Sequence, residues 1–243
     1  MWGSAGLHWL GTALLDFVYP PVCTACSAAL DEAAELLCPL CWAAIADGTR
    51  AVHGRCGRCG CPAIAPGASC TNCSGWEVAF DRAVVLGRFD GPLQQAVHAL
   101  KFSGRRSLGP ALGRSLARHL GPELTVVDLL VPVPLHPARQ RERGFNQSAL
   151  IAAGLGEELG RPVAGDLVVR RVQTRQQARL DAVARQDNLR DAFACPVPVP
   201  GDRCLCLVDD VLTTGATLDA CARALRQAGA RTVLAATLAG AYR

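Results

Sequence analysis

Lysine is almost missing from this chain: of 243 residues, Lys101 alone carries a primary amine side chain. Any mechanism that needs an essential amine, or a movable phosphate-binding lysine, therefore falls on Lys101. Aromatic residues are also few, at 5%, which leaves little surface for nucleobases to stack on. No strongly basic tract is present either. Residues 1–80 hold three Arg against six Asp and Glu, a balance of −3; the rest holds 22 basic and 15 acidic side chains, a balance of +7. An anionic ligand belongs with the second segment, yet its excess falls far short of a nucleic-acid-binding tail.

Long apolar runs are absent as well. Near the start, Leu7, Leu10, Leu14, Leu15, Phe17 and Val18 are apolar, but Asp16 interrupts them. No basic n-region precedes the stretch and no small-residue cleavage site follows it. It is shorter than the roughly 20 apolar residues that span a bilayer, so no membrane span is expected and the chain reads as cytoplasmic. The spacing of Leu7, Leu10, Leu14 and Phe17 predicts a short helix within residues 1–19 that docks on the body. Half of all residues are hydrophobic, which permits a packed core and argues against disorder.

Cysteine, in contrast, is abundant. Nine of thirteen cysteines lie between residues 23 and 73, and eight of these form four C-x2-C pairs: Cys23/Cys26, Cys38/Cys41, Cys56/Cys59 and Cys70/Cys73. A C-x2-C turn aims two thiolates at one point, and two such knuckles complete a tetrahedral zinc site. The gaps between pairs are 11, 14 and 10 residues, close to those of ribbon hairpins. A disulfide framework is the competing reading, but no secretion signal supports it, and redox C-x2-C motifs occur singly. Two structural Zn²⁺ sites over residues 20–78 are expected, since four thiolates leave no open position for a reacting water. Sequential pairing keeps each ribbon local and is preferred over interleaving; Cys61 is a spare. The ribbons either bind a partner or nucleic acid, or support the body. Cys195, Cys204, Cys206 and Cys221 lie in apolar or helical segments and read as small core residues.

Residues 80–243 alternate apolar strands (83–88, 125–133, 166–172, 204–209, 232–238) with helical stretches (92–101, 107–120, 146–160, 216–228). This predicts an α/β body with a mostly parallel sheet flanked by helices. The run Cys204-Leu205-Cys206-Leu207-Val208 suits a strand buried on both faces, and it ends in Asp209-Asp210. Two adjacent carboxylates there are costly without a cationic or hydroxyl-rich partner. Then come Thr213-Thr214-Gly215-Ala216-Thr217 and a helix. Strand, glycine-containing turn and helix N-terminus present backbone N–H groups to a phosphate, at the carboxyl end of a strand where α/β sheets bind ligands. The threonine hydroxyls would add to that grip, and Asp209 and Asp210 would face ribose hydroxyls and a Mg²⁺ ion. Helix capping alone would need only one such residue.

The string LVDDVLTTGATL, residues 207–218, resembles the phosphoribosyl pyrophosphate (PRPP) motif of type I phosphoribosyltransferases. Val131-Pro132-Val133-Pro134-Leu135 with Arg139 and Arg143-Gly144-Phe145-Asn146-Gln147 resembles the signature of ComF-type competence proteins. So does the order of parts: cysteine knuckles, Leu100-Lys101-Phe102, then the body. Gln177, Leu180, Arg185, Asn188 and Ala192-Phe193 fit the same family.

The resemblance implies a type I phosphoribosyltransferase-like fold in which Val208, Asp209, Asp210, Thr213, Thr214, Gly215, Ala216 and Thr217 bind PRPP, or another phosphorylated ribose, with Mg²⁺. It makes Arg139 and Arg143 pyrophosphate partners and the Arg- and Gln-rich stretch 170–190 a hood over the substrate. That stretch holds no lysine, leaving Arg175 or Arg179 as substitutes. Two functions follow. One is a transferase releasing pyrophosphate, with Asp209, Asp210, Arg139 and Arg143 as its catalytic set and an unread acceptor. Residue 2 is not cysteine and no glutaminase domain precedes the body, so glutamine-dependent amide transfer lacks its nucleophile. The other is a non-enzymatic protein that handles single-stranded DNA, or meets DNA-uptake proteins, in natural transformation.

Overall fold

A computed structural model describes residues 21–30, 36–50, 54–61, 70–171 and 192–242. The expected N-terminal helix of residues 1–19, and the arginine-rich stretch from residue 172 to 190 with Arg175, Gln177, Arg179, Leu180, Arg185 and Asn188, lie outside the described residues.

The elements, in chain order, begin with α1 (Pro39–Arg50), β1 (Arg82–Arg88), α2 (Gly91–Phe102) and α3 (Leu108–Leu120). After a 3-10 turn at Gly121–Leu124 come β2 (Leu129–Pro132), α4 (Pro137–Arg143), α5 (Gln147–Leu159), β3 (Val169–Arg170) and β4 (Phe193–Ala194). The chain closes with β5 (Cys204–Leu212), α6 (Ala216–Gln227) and β6 (Thr232–Gly240). Four strands form one sheet in the order β1-β6-β5-β2, parallel throughout, with Leu207 opposite Ala235 and Val131 opposite Leu207. The apolar run of β5 takes a central place, as its two-faced hydrophobicity requires. Pro132 falls on the edge strand β2, where a missing N–H removes least from the ladder.

The alternation of side chains splits the core in two. Val84, Leu86, Cys206, Val208, Leu234 and Ala236 pack with α2, α3 and α5. Val85, Leu205, Leu207, Val233 and Ala235 pack with Leu218, Cys221 and Leu225 of α6. The cysteine ribbons join these cores. Cys23, Cys38 and Cys41 sit in the first, together with Leu37 and Ile45, and Cys59 and Cys73 sit in the second with Phe80. The second ribbon also covers the outer edge of β1. Ala83 N–H donates to Arg58 O at 2.8 Å, and the Arg55 guanidinium donates to the carbonyls of Val85 and Leu86. An edge strand covered in this way offers no row of unpaired groups to another chain.

Three expectations need correction. The strand expected over 125–133 shortens to Leu129–Pro132, because residues 125 and 126 form a turn after the 3-10 helix, with Val127 N–H donating to Leu124 O at 3.1 Å. The strand expected over 166–172 does not join the parallel sheet. Only Val169–Arg170 is extended, paired antiparallel with Phe193–Ala194. Val168 is buried while Val169 is 38% exposed, so this segment is apolar on one face and does not suit a sheet covered on both. The strand expected to stop at residue 209 runs on to Leu212, which puts both aspartates inside β5. Among the described residues no helix is long and apolar enough to cross a membrane.

Helices α3 and α5 approach unusually closely. A Cβ on Gly113 would stand 2.2 Å from Ile151 O, and one on Gly154 would stand 2.1 Å from Pro110 O. Only glycine permits that spacing, and it sets the position of the α5 N-terminus.

Candidate functional site

The four cysteine pairs close into two groups. Cys23, Cys26, Cys38 and Cys41 form one, and Cys56, Cys59, Cys70 and Cys73 the other, with the Sγ atoms of each group within 4.8 Å of one another. Sulfurs at about 2.3 Å from a tetrahedral zinc stand about 3.8 Å apart. The observed separations include 3.7 Å for Cys26–Cys38, 3.5 Å for Cys56–Cys73 and 3.6 Å for Cys59–Cys70. All thirteen cysteines are free of disulfides. Each tetrad thus fits a structural zinc ion, and pairing is sequential. Cys38 N–H donates to Cys23 Sγ at 3.3 Å, stabilising thiolate character across the two knuckles. Cys61 belongs to neither tetrad. Cys204, Cys206 and Cys221 are buried as expected, whereas Cys195 is half-buried and its Sγ donates to Val197 O.

The carboxyl ends of β2 and β5 open into a cavity of about 870 Å³, within the size range of small-molecule sites. Asp209 and Asp210 lie at its base, joined by Thr213 and Thr217 of the turn and by Arg139 and Arg143 of α4. Lys101, at the end of α2, and Arg170 of β3 complete its cations. Four cationic side chains therefore meet three carboxylates, Glu142 being the third.

The carboxylates are held by different elements. Lys101 Nζ lies 2.6 Å from Asp210 Oδ1, while Asp210 Oδ2 is buried with no partner. Asp209 Oδ1 accepts from Ser148 Oγ and from the Asp210 N–H, each at 2.9 Å. Burial first, and the neighbouring Asp210 second, push the Asp209 carboxyl up to about 7 against those hydrogen bonds. Arg170 is shifted down, first by burial and then by the charge of Arg139; its guanidinium lies over the Phe193 ring at 5.2 Å. Arg143 donates to Gln147 Oε1 at 2.6 Å and lies 5.6 Å from the centre of the Phe102 ring.

Local sequence explains these placements. His136 Nδ1 accepts from Ala138 N–H and caps α4, with Pro137 at its first turn; this short helix presents Arg139 and Arg143. Asn146 caps α5 by accepting from Ser148 N–H, and its own amide donates to Val133 O at 3.0 Å. Val133 N–H donates to Val208 O at 2.9 Å, so the Pro-Val-Pro exit and the aspartate strand are tied together. Val208 itself is fully buried. Gly215 takes a left-handed φ of 77° at the N-cap of α6, a conformation that favours glycine. Thr214 Oγ1 accepts from Ala216 N–H at 3.4 Å, so Thr214, Gly215 and Ala216 shape the turn while Thr213 and Thr217 face the cavity. A Cβ on Gly215 would stand 3.3 Å from the Trp76 ring, which brings the second ribbon against this turn.

The structure thus gathers Asp209, Asp210, Arg139, Arg143, Thr213 and Thr217 at one cavity. Sequence reasoning did not assign Ser148 or Gln147 to it, and it placed Arg170 there only as the first residue of the expected hood. Ser148 follows the Gly144–Gln147 motif directly, which was the signal available. Lys101 stood out as the sole lysine, but its pairing with Asp210 spans 109 positions of sequence.

Comparison with known proteins agrees with this layout. The double zinc ribbon domain model matches residues 14–74. DNA utilization protein YhgH of Salmonella typhimurium is 34% identical over 233 residues, covering 94% of each chain. Competence protein F of Haemophilus influenzae is 33% identical over 182 residues, covering 72% of this chain and 79% of its own. Competence protein ComFC of Bacillus subtilis is 26% identical over 221 residues, covering 86% and 79%. A solved structure of the allosteric regulatory enzyme of purine biosynthesis aligns with 54% of this chain and 25% of its own, at 23% identity and a TM-score of 0.39. With identity sustained from the cysteine ribbons through the α/β body, the chain belongs to the ComF family.

Proposed function

We propose that the cavity binds PRPP together with Mg²⁺ and that the protein acts as a phosphoribosyltransferase. One observation carries this reading: a paired carboxylate site and a threonine turn at a helix N-terminus face Lys101, Arg139, Arg143 and Arg170 across a single cavity. The turn and the α6 N-terminus would take the 5′-phosphate. Asp209 and Asp210 would hold the ribose hydroxyls, and the arginine forks suit pyrophosphate oxygens. The unpartnered Asp210 Oδ2 is a ready acceptor for a ribose hydroxyl or a ligand for Mg²⁺. Bound Mg²⁺ would neutralise charge on the pyrophosphate.

In the transfer step a nucleophile forms a bond to ribose C1 while the bond from C1 to the pyrophosphate oxygen breaks. The electron pair leaves with pyrophosphate, and the nucleophile's proton passes to solvent. Arg139 and Arg143 stabilise the departing charge, and the aspartates offset positive charge developing at the ring.

A second reading rests on the relatives. Their names refer to DNA utilization and competence, and the cationic cavity rim suits a phosphate backbone. In that reading the protein handles single-stranded DNA, or meets DNA-uptake proteins, in the cytoplasm.

Calorimetry with PRPP and Mg²⁺ tests the first reading. Heat in the parent that disappears in Asp209→Asn/Asp210→Asn supports it; no binding at millimolar PRPP refutes it. A gel-shift titration of single-stranded DNA across salt concentrations tests the second.

A further inference from the structure

An isolated exposed apolar side chain needs no explanation, but Phe102 is not isolated. It is the one aromatic among the strongly exposed large hydrophobics of the described residues, at 74% exposure, and it lines the same cavity as Asp209 and Asp210. Arg143 lies 5.6 Å from its ring centre. His98 meets it edge-on at 6.0 Å, and Phe89 meets His98 at 5.5 Å. Phe89 and Phe145 also line the cavity, and Arg106 lies 4.9 Å from the Phe145 ring centre. Of the six phenylalanines in the chain, three therefore converge on one cavity. The scarcity of aromatics is offset by their concentration.

The phenylalanines and the four cationic side chains that line this cavity call for a ligand with a flat π-face on one side and phosphate on the other. A phosphorylated ribose alone would satisfy the aspartates and arginines and leave the Phe102 face bare. We infer that Phe102 is a stacking platform for a nucleobase, seated beside the ribose-phosphate site. Phe89 and His98 brace its ring from within, and Arg143 bridges the two halves by touching both ring and phosphate. An exposed ring at the end of a helix loses little when a ligand covers it and gains stacking with any base, so the platform is tolerant of base identity. The inference rests on the ribose-phosphate reading of the cavity and names the class of molecule that shares it. The base arrives either on a mononucleotide or within a single strand, and the chemistry of recognition is common to both.

The test compares ligands that differ only in the base. Ribose 5-phosphate is set against UMP and AMP by calorimetry, and an abasic oligonucleotide against oligo-dT of equal length by fluorescence anisotropy. The parent, Phe102→Ala and Phe102→Trp are measured as full-length zinc-loaded chains, with PRPP binding followed in parallel. The parent should favour the base-bearing ligand, and Phe102→Ala should lose that preference by roughly tenfold to a hundredfold. Phe102→Trp should keep it, and in both variants affinity for ribose 5-phosphate and PRPP should change far less than the base preference, because Arg143 loses a ring contact but no phosphate contact. Loss confined to the mononucleotide arm identifies a free nucleotide as the source, and loss confined to the strand arm identifies single-stranded nucleic acid. Equal affinity for base-bearing and base-free ligands in the parent overturns the platform, as does a base preference that survives Phe102→Ala. If PRPP binds and the preference is absent, the platform alone fails. If PRPP does not bind while the preference is present and depends on Phe102, it is the ribose-phosphate reading that fails.

Discussion

Lys101 Nζ and Asp210 Oδ1 stand 2.6 Å apart, and the contact joins the only lysine of the chain to one of the two aspartates of strand β5. Lys101 is 20% and Asp210 7% exposed at the side chain, so the pair is mostly withdrawn from water. Removing one partner of such a pair leaves a buried charge uncompensated. Lys101→Met should cost about 3 kcal/mol, a fall in Tm of roughly 6–12 °C for a chain of this size. Lys101→Met/Asp210→Asn should cost markedly less than the sum of the two single changes. Thermal melts of the four proteins in the cycle measure this; additivity would show that the pair is uncoupled. Because no other lysine exists, amine-directed reagents will also report on Lys101 and the α-amino group alone, and PRPP with Mg²⁺ should slow the reaction at Lys101.

Asp209 supplies the pH dependence. Its carboxyl is raised to about 7 in the folded protein, by burial and then by Asp210, against about 4 in an unfolded chain. A raised folded value stabilises the fold while the group holds its proton. That contribution is complete below about pH 4 and is lost as the pH climbs through about 7. The parent should therefore lose stability between about pH 4 and about pH 7, and Asp209→Asn should remove much of that slope and melt higher above it. Melts across this window, with zinc kept saturating, decide it; a parent and variant with parallel pH curves would rule out a titrating Asp209.

Most of the fold could be read from the chain. The two-faced apolar run of β5, the helical stretches at Gly91–Phe102, Leu108–Leu120 and Ala216–Gln227, and the four knuckles all carry local patterns whose period or spacing belongs to one structure. The site was legible where it is local, in Asp209 to Thr217 and in Arg139 and Arg143. It was not legible where elements distant in sequence meet. The pairing of Lys101 with Asp210, the Ser148 hydrogen bond to Asp209 and the position of Arg170 depend on helix and strand packing that no short window encodes. Segment 166–172 was misplaced because its valines suggested a strand, and the exposure of Val169, which excludes a doubly covered sheet, becomes visible only in three dimensions.

The ribbons offer a separate test. Cys59 and Cys73 are buried in the core that also holds Leu205 and Leu207, and Trp76 packs against the turn at Gly215. Loss of zinc from the second tetrad should therefore reach the ligand cavity. Metal analysis should find two zinc ions per chain, and Cys73→Ser should retain one. The variant should melt lower and bind PRPP more weakly, whereas ribbons that were independent appendages would leave both the melting of the body and ligand affinity unchanged.

The close approach of α3 and α5 makes the last prediction. Alanine is the better helix former by about 1 kcal/mol, so Gly113→Ala would stabilise an isolated helix. Here the new Cβ would stand 2.2 Å from Ile151 O and 2.8 Å from Leu155 N, and both obstacles are backbone atoms that no rotamer change can move. Overpacking of this kind costs about 1–3 kcal/mol, which outweighs the propensity gain. The helices must part, and α5 carries Ser148 at its start, 2.9 Å from Asp209. Gly113→Ala should thus lower Tm and weaken PRPP binding together. Gly165→Ala, where an added Cβ meets nothing within 4 Å, should leave stability within about 0.5 kcal/mol of the parent. A Gly113→Ala protein as stable as the parent would mean that the two helices are farther apart than described, and that Ser148 is not held in place by their contact.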